Sequence, residues 1–88
     1  MCSHNQLTSL PKLPNSLKEL YCSENNLKSL PKLPDGLKEL NCRNNQLTSL
    51  PKLPDSLILL ECDGNPLTKE TIEKIKSHPN YDRITWVI

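Results

Sequence analysis

Apolar and polar positions along the chain recur with a beat of twenty. Cys2, Cys22, Cys42 and Cys62 stand 20 residues apart, each followed after three residues by Asn5, Asn25, Asn45 or Asn65. Two residues further on come Leu7, Leu27, Leu47 and Leu67, then the Leu-Pro-Lys-Leu-Pro segments at 10–14, 30–34 and 50–54. The pairs Leu17 and Leu20, Leu37 and Leu40, Leu57 and Leu60 complete the unit. It reads L-x-x-L-x-C-x-x-N-x-L-x-x-L-P-x-L-P-x-x. Leu20 and Cys22 are two apart, so both project from one face of a short strand, with Glu19, Tyr21 and Ser23 on the other. Twenty-residue coils stacked on one another set such strands in parallel about 4.8 Å apart. Inward side chains then form columns, a core that no single unit could make. The asparagine after each strand is expected to turn inward and satisfy backbone groups that the bend leaves unpaired.

Two prolines per unit exclude a helix on the return path. That path is predicted to be extended or polyproline-like, with Leu30 and Leu33 tucked inward, and Asn15-Ser16, Asp35-Gly36 and Asp55-Ser56 forming the turns. After Pro66 the beat breaks. Leu67, Ile72 and Ile75 with charges between them suit a short amphipathic helix, N-capped by Thr68. Glu70 lies in its first turn, Lys74 and Lys76 in its last, and Pro79 forbids continuation. Tyr81, Ile84 and Trp86 then repeat the spacing of Leu57, Leu60 and Cys62, which predicts a final strand over 82–88 with Ile84 and Trp86 inward. The expected fold is an α/β repeat solenoid, one domain over 1–88. It divides into a partial repeat (1–16), full repeats (17–36 and 37–56), a last repeat with the helix (57–80) and a capping strand (81–88).

This unit resembles the leucine-rich repeat, with cysteine at one of its apolar positions. The Leu-Pro-x-Leu-Pro return segment and the short period are similar to bacterial effectors of the YopM and IpaH type. The wording around Cys42 is also similar to repeat proteins of bacteria and giant viruses. The likeness covers residues 1–67 and, more weakly, the end of the chain. It implies an arc whose short-stranded parallel sheet lines the concave face, and whose concave strands contact a protein partner. Some members add a ubiquitin-ligase domain with a catalytic cysteine. Here every cysteine occupies a ladder position, so the likeness implies a scaffold and a binding mode but no activity.

At the other end, Cys2 follows Met1 directly, so the first unit lacks its opening segment. An apolar surface and an unpaired strand edge are therefore expected beneath Leu17 and Leu20. Either the chain is the tail of a longer array, because terminal repeats need capping, or it associates with itself through this N-terminal edge.

Composition narrows the function classes. Eleven basic residues stand against ten acidic ones, which gives no footing for nucleic acid or a membrane surface. The longest apolar run, Leu57-Ile58-Leu59-Leu60, is too short to span a bilayer, and without a basic segment leading into an apolar run at its start the sequence is not expected to carry a secretory leader. Single cysteines at wide spacing form a column rather than a tetrahedral metal site, and the column is too widely spaced for disulfides. They are expected to act as small buried hydrophobes, with Cys2 alone reactive. Reduced thiols favour a cytoplasmic setting, that of a host if the chain is an effector or viral protein. His4 and His78 are expected at the surface, with no nucleophile or carboxylate beside them. Lys12, Lys32 and Lys52 form an outer stripe, read as solubilising, with a nucleic-acid edge as the alternative.

The units differ most on the outward strand face. Its first column runs Glu19, Glu39, Leu59, and its second Met1, Tyr21, Asn41, Glu61. The third runs Ser3, Ser23, Arg43, Asp63, and Thr85 and Val87 extend the columns on the last strand. Tyr21 and Arg43 are residue types enriched at interaction hot spots, although Arg43 can instead pair across strands with Asp63. Varied polar residues on a rigid arc suit protein recognition; they also serve merely to keep a sheet soluble. The expected function is a protein-binding scaffold without catalysis, cofactor or metal. A self-assembling structural module is the alternative.

Overall fold

The computed structural model describes residues 8–79 and 81–87. Cys2, His4 and the N-terminal edge lie outside the described residues. Four strands, β1 (Glu19–Tyr21), β2 (Glu39–Asn41), β3 (Leu59–Glu61) and β4 (Thr85–Val87), form one parallel sheet in chain order. Leu20 pairs with Leu40 and Leu40 with Leu60, so the first three strands step by twenty residues, the interval of the sequence beat. Inward residues stack as that interval requires. Leu40, Leu60, Cys22, Cys42, Cys62, Leu27 and Leu47 are fully buried, with Leu33, Leu37 and Leu57 beside them. Burying each leucine contributes about 2 kcal/mol.

The return segments are irregular and close on the predicted turns. In each, the amide of Leu17, Leu37 or Leu57 donates to the carbonyl of Pro14, Pro34 or Pro54 at 3.2 Å. Proline before the two turn residues fixes the entering backbone, and the hydrogen bond spans the turn. Ser56 Oγ ties one turn to the preceding coil by donating to the carbonyls of Asp35 (2.6 Å) and Leu37 (2.7 Å).

The single helix among the described residues, α1 (Lys69–Lys76), starts where its cap dictates: Thr68 Oγ1 accepts from the Thr71 amide at 3.2 Å. Glu70 lies in its first turn and Lys74 and Lys76 in its last, complementing the helix dipole. It buries Thr71 and Ile75, and Thr71 Oγ1 donates to the Thr48 carbonyl at 3.1 Å.

The last strand departs from expectation. Among the described residues it covers Thr85–Val87 and does not begin at 82, and Trp86 pairs with Leu60, not with the Cys62 position. Tyr81–Arg83 wind into a 3-10 turn, which takes up the residues that an extended approach would have used. Trp86 Nε1 donates to the Tyr81 carbonyl at 2.7 Å, and the two rings stack with centroids 5.2 Å apart. The register slips by two residues, so side-chain parity survives: Ile84 is buried and Trp86 half-buried against the core.

Candidate functional site: the outward face of the sheet

Each strand contributes only three residues, and what fixes their exit is a ladder of asparagines. Asn45 Oδ1 accepts from the amides of Asn25 and Leu27, both at 3.1 Å. Asn45 Nδ2 donates to the carbonyls of Cys22 and Cys42 at 3.0 Å and of Arg43 at 3.2 Å. Asn65 repeats this one coil on, accepting from Asn45 and Leu47 and donating to Cys42, Cys62 and Asp63. Each carboxamide therefore joins two coils, pairing groups left open where the chain leaves the strand. Asn25 and Asn45 are buried, so these bonds do not compete with water.

Just before each asparagine the backbone turns left-handed, with φ of 56° at Glu24 and Asn44 and 74° at Gly64. Asparagine and glycine accept that conformation at little cost, whereas glutamate does not. The aligned triplet Glu24, Asn44, Gly64 was a readable signal of this turn that pattern analysis of apolar positions passes over.

The register brings the predicted face residues together. Glu19, Glu39, Leu59 and Thr85 form one column; Tyr21, Asn41, Glu61 and Val87 form the next. Ser23, Arg43 and Asp63 follow at the strand exits, all half-buried. Tyr21 Oη donates to Glu39 Oε1 at 2.6 Å. That bond to a carboxylate, with burial and the nearby Glu19 charge, pushes the Tyr21 hydroxyl up to about 12. Arg43 Nε lies 2.8 Å from Asp63 Oδ1, and both atoms are shielded from water, so the contact is a close ion pair. Arg43 Nη1 reaches 3.9 Å from Glu61 Oε2, and the Arg43 amide donates to Asn41 Oδ1 at 3.2 Å. The cross-strand pairing of Arg43 with Asp63 is thus the one the structure adopts.

Behind the face the three described thiols, Cys22, Cys42 and Cys62, are buried. Desolvation pushes Cys62 up to about 11, assisted by the Asp63 charge, and raises Cys42 further, with Cys62 and Cys22 as neighbours in the column. Among the described residues no group of three or more His, Cys, Asp or Glu side chains is placed to hold a metal ion. None of their helices is long and apolar enough to cross a membrane.

His78 does not sit at the surface as expected. Its side chain is 7% exposed, 3.9 Å from Asp55 Oδ1, with Nε2 3.3 Å from the Leu53 carbonyl. Trp86 meets it edge-on at 6.2 Å. It borders a groove of about 640 Å³ between α1 and the third return segment, lined by Leu50, Pro51, Thr71, Lys74 and Pro79 among others. No repeat position corresponds to His78, because the helix inserts outside the beat. The exposed Lys12, Lys32 and Lys52 lie on the return side, away from the strand columns.

Residues 15–55 match the family described as Leucine Rich repeats (2 copies). No curated protein matches the chain. The matched segment contains β1 and β2 with their return paths. Together with the parallel sheet it fits a leucine-rich repeat fold. Leucine-rich repeats commonly mediate protein–protein interaction and are not an enzyme family, consistent with a scaffold that catalyses nothing.

Proposed function

We propose that the chain is a protein-binding scaffold of stacked leucine-rich repeats that takes its partner on the strand face. The observation that carries this is the contrast within the repeat. Positions facing the core are nearly invariant from coil to coil, while Tyr21, Asn41 and Glu61, or Ser23, Arg43 and Asp63, change at every step of one rigid register. A preorganised backbone with variable side chains lowers the ordering cost of binding. The contact set is Glu19, Tyr21, Ser23, Glu39, Asn41, Arg43, Leu59, Glu61, Asp63 and Thr85. In this scheme repeats 17–36 and 37–56 are the full units, 57–80 the last, and α1 with β4 closes the stack. The return segments suggest the bacterial-effector or giant-virus class, and a reducing cytoplasm suits the buried thiols.

Pull-down from lysate with a strand-face variant, Arg43→Glu with Asp63→Lys, tests the assignment against Lys32→Glu on the return side. The strand-face variant is expected to lose partners that Lys32→Glu retains. An unchanged partner list refutes the assignment of the strand face.

A further inference from the structure

We propose that the strand face docks a basic protein segment, one that carries lysine or arginine beside an apolar side chain. This rests on the protein-binding reading above and adds the chemistry of the occupant. Four carboxylates, Glu19, Glu39, Glu61 and Asp63, share the face with one cation, Arg43. Arg43 is already engaged, 2.8 Å from Asp63 and 3.9 Å from Glu61. Among the described residues no ion pair neutralises Glu19 or Glu39; Tyr21 gives Glu39 a hydrogen bond but no charge. The Lys18 ammonium, near in sequence, lies beside Gly36 in the next turn.

The imbalance is local. The chain carries a formal charge of +1 and the face −3, so the remainder carries +4, with Lys12, Lys32 and Lys52 exposed on the return side. Glu19 and Glu39 sit on adjacent strands, about 4.8 Å apart. That is within the Debye length of about 8 Å at physiological salt, so they act on an approaching charge together. An acidic partner meets repulsion there, and a basic one is steered in.

The same columns change character along the stack. Leu59 replaces Glu19 and Glu39 in theirs and is half-buried, and Val87 ends the next at 38% exposed. The first column therefore runs from the carboxylates of Glu19 and Glu39, which no ion pair neutralises among the described residues, to Leu59, and the second passes Glu61 to end at Val87. An occupant that crosses the strands places its cations over Glu19 and Glu39 and its apolar group over Leu59 or Val87.

Titration calorimetry with three synthetic peptides tests this: alternating Lys-Leu, the same with Glu for Lys, and the same with Ser for Leu. Amide chemical-shift mapping of the whole chain locates each. The Lys-Leu peptide is expected to bind, to shift residues of β1–β4, and to weaken at high salt; the Lys-Ser peptide is expected to bind less tightly. Glu19→Lys with Glu39→Lys is expected to weaken it about tenfold or more. The milder Glu19→Gln with Glu39→Gln should act in the same direction, and Asp35→Lys in an exposed turn should leave binding within about twofold. Equal binding of the Glu-Leu peptide at the strand face overturns the basic-partner inference while leaving the face as the binding surface. Shifts confined to the return side overturn the face itself. No detectable binding of the Lys-Leu peptide, or full affinity in both glutamate variants, overturns the inference alone.

Discussion

Replacing Asn45 with alanine removes a side chain that touches no candidate partner, yet it should cost more stability than any change on the outward face. The lost oxygen is the acceptor for the Asn25 and Leu27 amides, both at 3.1 Å, and both donors are buried. The lost amide removes one of two donors from each of the Cys22 and Cys42 carbonyls, which keep Asn25 Nδ2 at 3.0 Å and Asn65 Nδ2 at 2.9 Å. An orphaned buried donor or acceptor costs about 1–3 kcal/mol. Carbonyls keep some capacity elsewhere, so the two amides dominate and the expected loss is about 3–5 kcal/mol. A domain of this size has about 4–13 kcal/mol in total, so the variant sits near the edge of folding. Asn45→Asp keeps the acceptor but sets a charge against three carbonyls, and should be no better. Urea unfolding followed by Trp86 fluorescence and far-ultraviolet dichroism measures the change, with the exposed neighbour Gln46→Ala as control within about 0.5 kcal/mol. A loss under about 1 kcal/mol for Asn45→Ala would show that water or neighbouring groups replace the ladder.

Other outcomes follow from the same coordinates. Cys62 is raised from 9.0 to about 11 in the folded state and Cys42 is raised too, so the unfolded chain releases thiol protons first. Stability is therefore complete below pH 9 and lost as pH rises towards 11, by about 1.4 kcal/mol per pH unit for each thiol; urea midpoints under reducing conditions check this, and a flat profile refutes it. Glu24→Gly should stabilise by about 0.5–1 kcal/mol by relieving a left-handed glutamate. Gly64→Ala should destabilise, since its Cβ would collide with the Asn44 side chain; thermal melts that rank the two the other way contradict the turn geometry. Leu40→Ala, fully buried in the central coil, should cost about 2–5 kcal/mol in urea unfolding. Asp63→Asn, which breaks a half-exposed pair, should cost about 1 kcal/mol or less.

The sheet was legible because the beat fixes it. Once Cys22, Cys42 and Cys62 recur at twenty, inward leucines, parallel strands, return turns and the asparagine bonds follow from side-chain alternation and backbone pairing. The Thr68 cap was readable from its position before Lys69 and its reach to Thr71. What escaped lies where the beat stops. The spacing of Tyr81, Ile84 and Trp86 predicts Trp86 at the Cys62 position, two residues from its actual register, because nothing in that spacing announces a 3-10 turn. His78 looked superficial because its neighbours Asp55 and Trp86 come from other coils and meet it only through α1. On the strand face the column membership of Glu19, Tyr21 and Arg43 was readable. Which charges end up compensated depends on rotamers and cross-strand distances that spacing does not encode.

Rigidity and recognition are joined at one point of the coil. Asn45 donates to the Arg43 carbonyl at its own strand exit and to the Cys22 carbonyl at the preceding one, where Asn25 holds the Ser23 carbonyl, so Ser23 and Arg43 leave the sheet at positions set by linked carboxamides. The turn that follows is held left-handed at Glu24, Asn44 and Gly64. Apart from Asn41, whose Oδ1 accepts from the Arg43 amide, substitutions at the outward positions then change chemistry without moving the backbone, because the bonds that fix the strand exits run between main-chain groups and the inward asparagines. A chain built this way can exchange Glu39 for Leu59 in one column and keep both strands in register. The expected signature is additivity: outward substitutions on different strands should change partner affinity independently, outside the coupled pairs Tyr21–Glu39, Arg43–Glu61 and Arg43–Asp63. Coupling between Glu19 and Val87, at opposite ends of the sheet, beyond about 0.5 kcal/mol in a double-mutant cycle would mean that the coils move on binding, and that the face is shaped by its partner rather than presented to it.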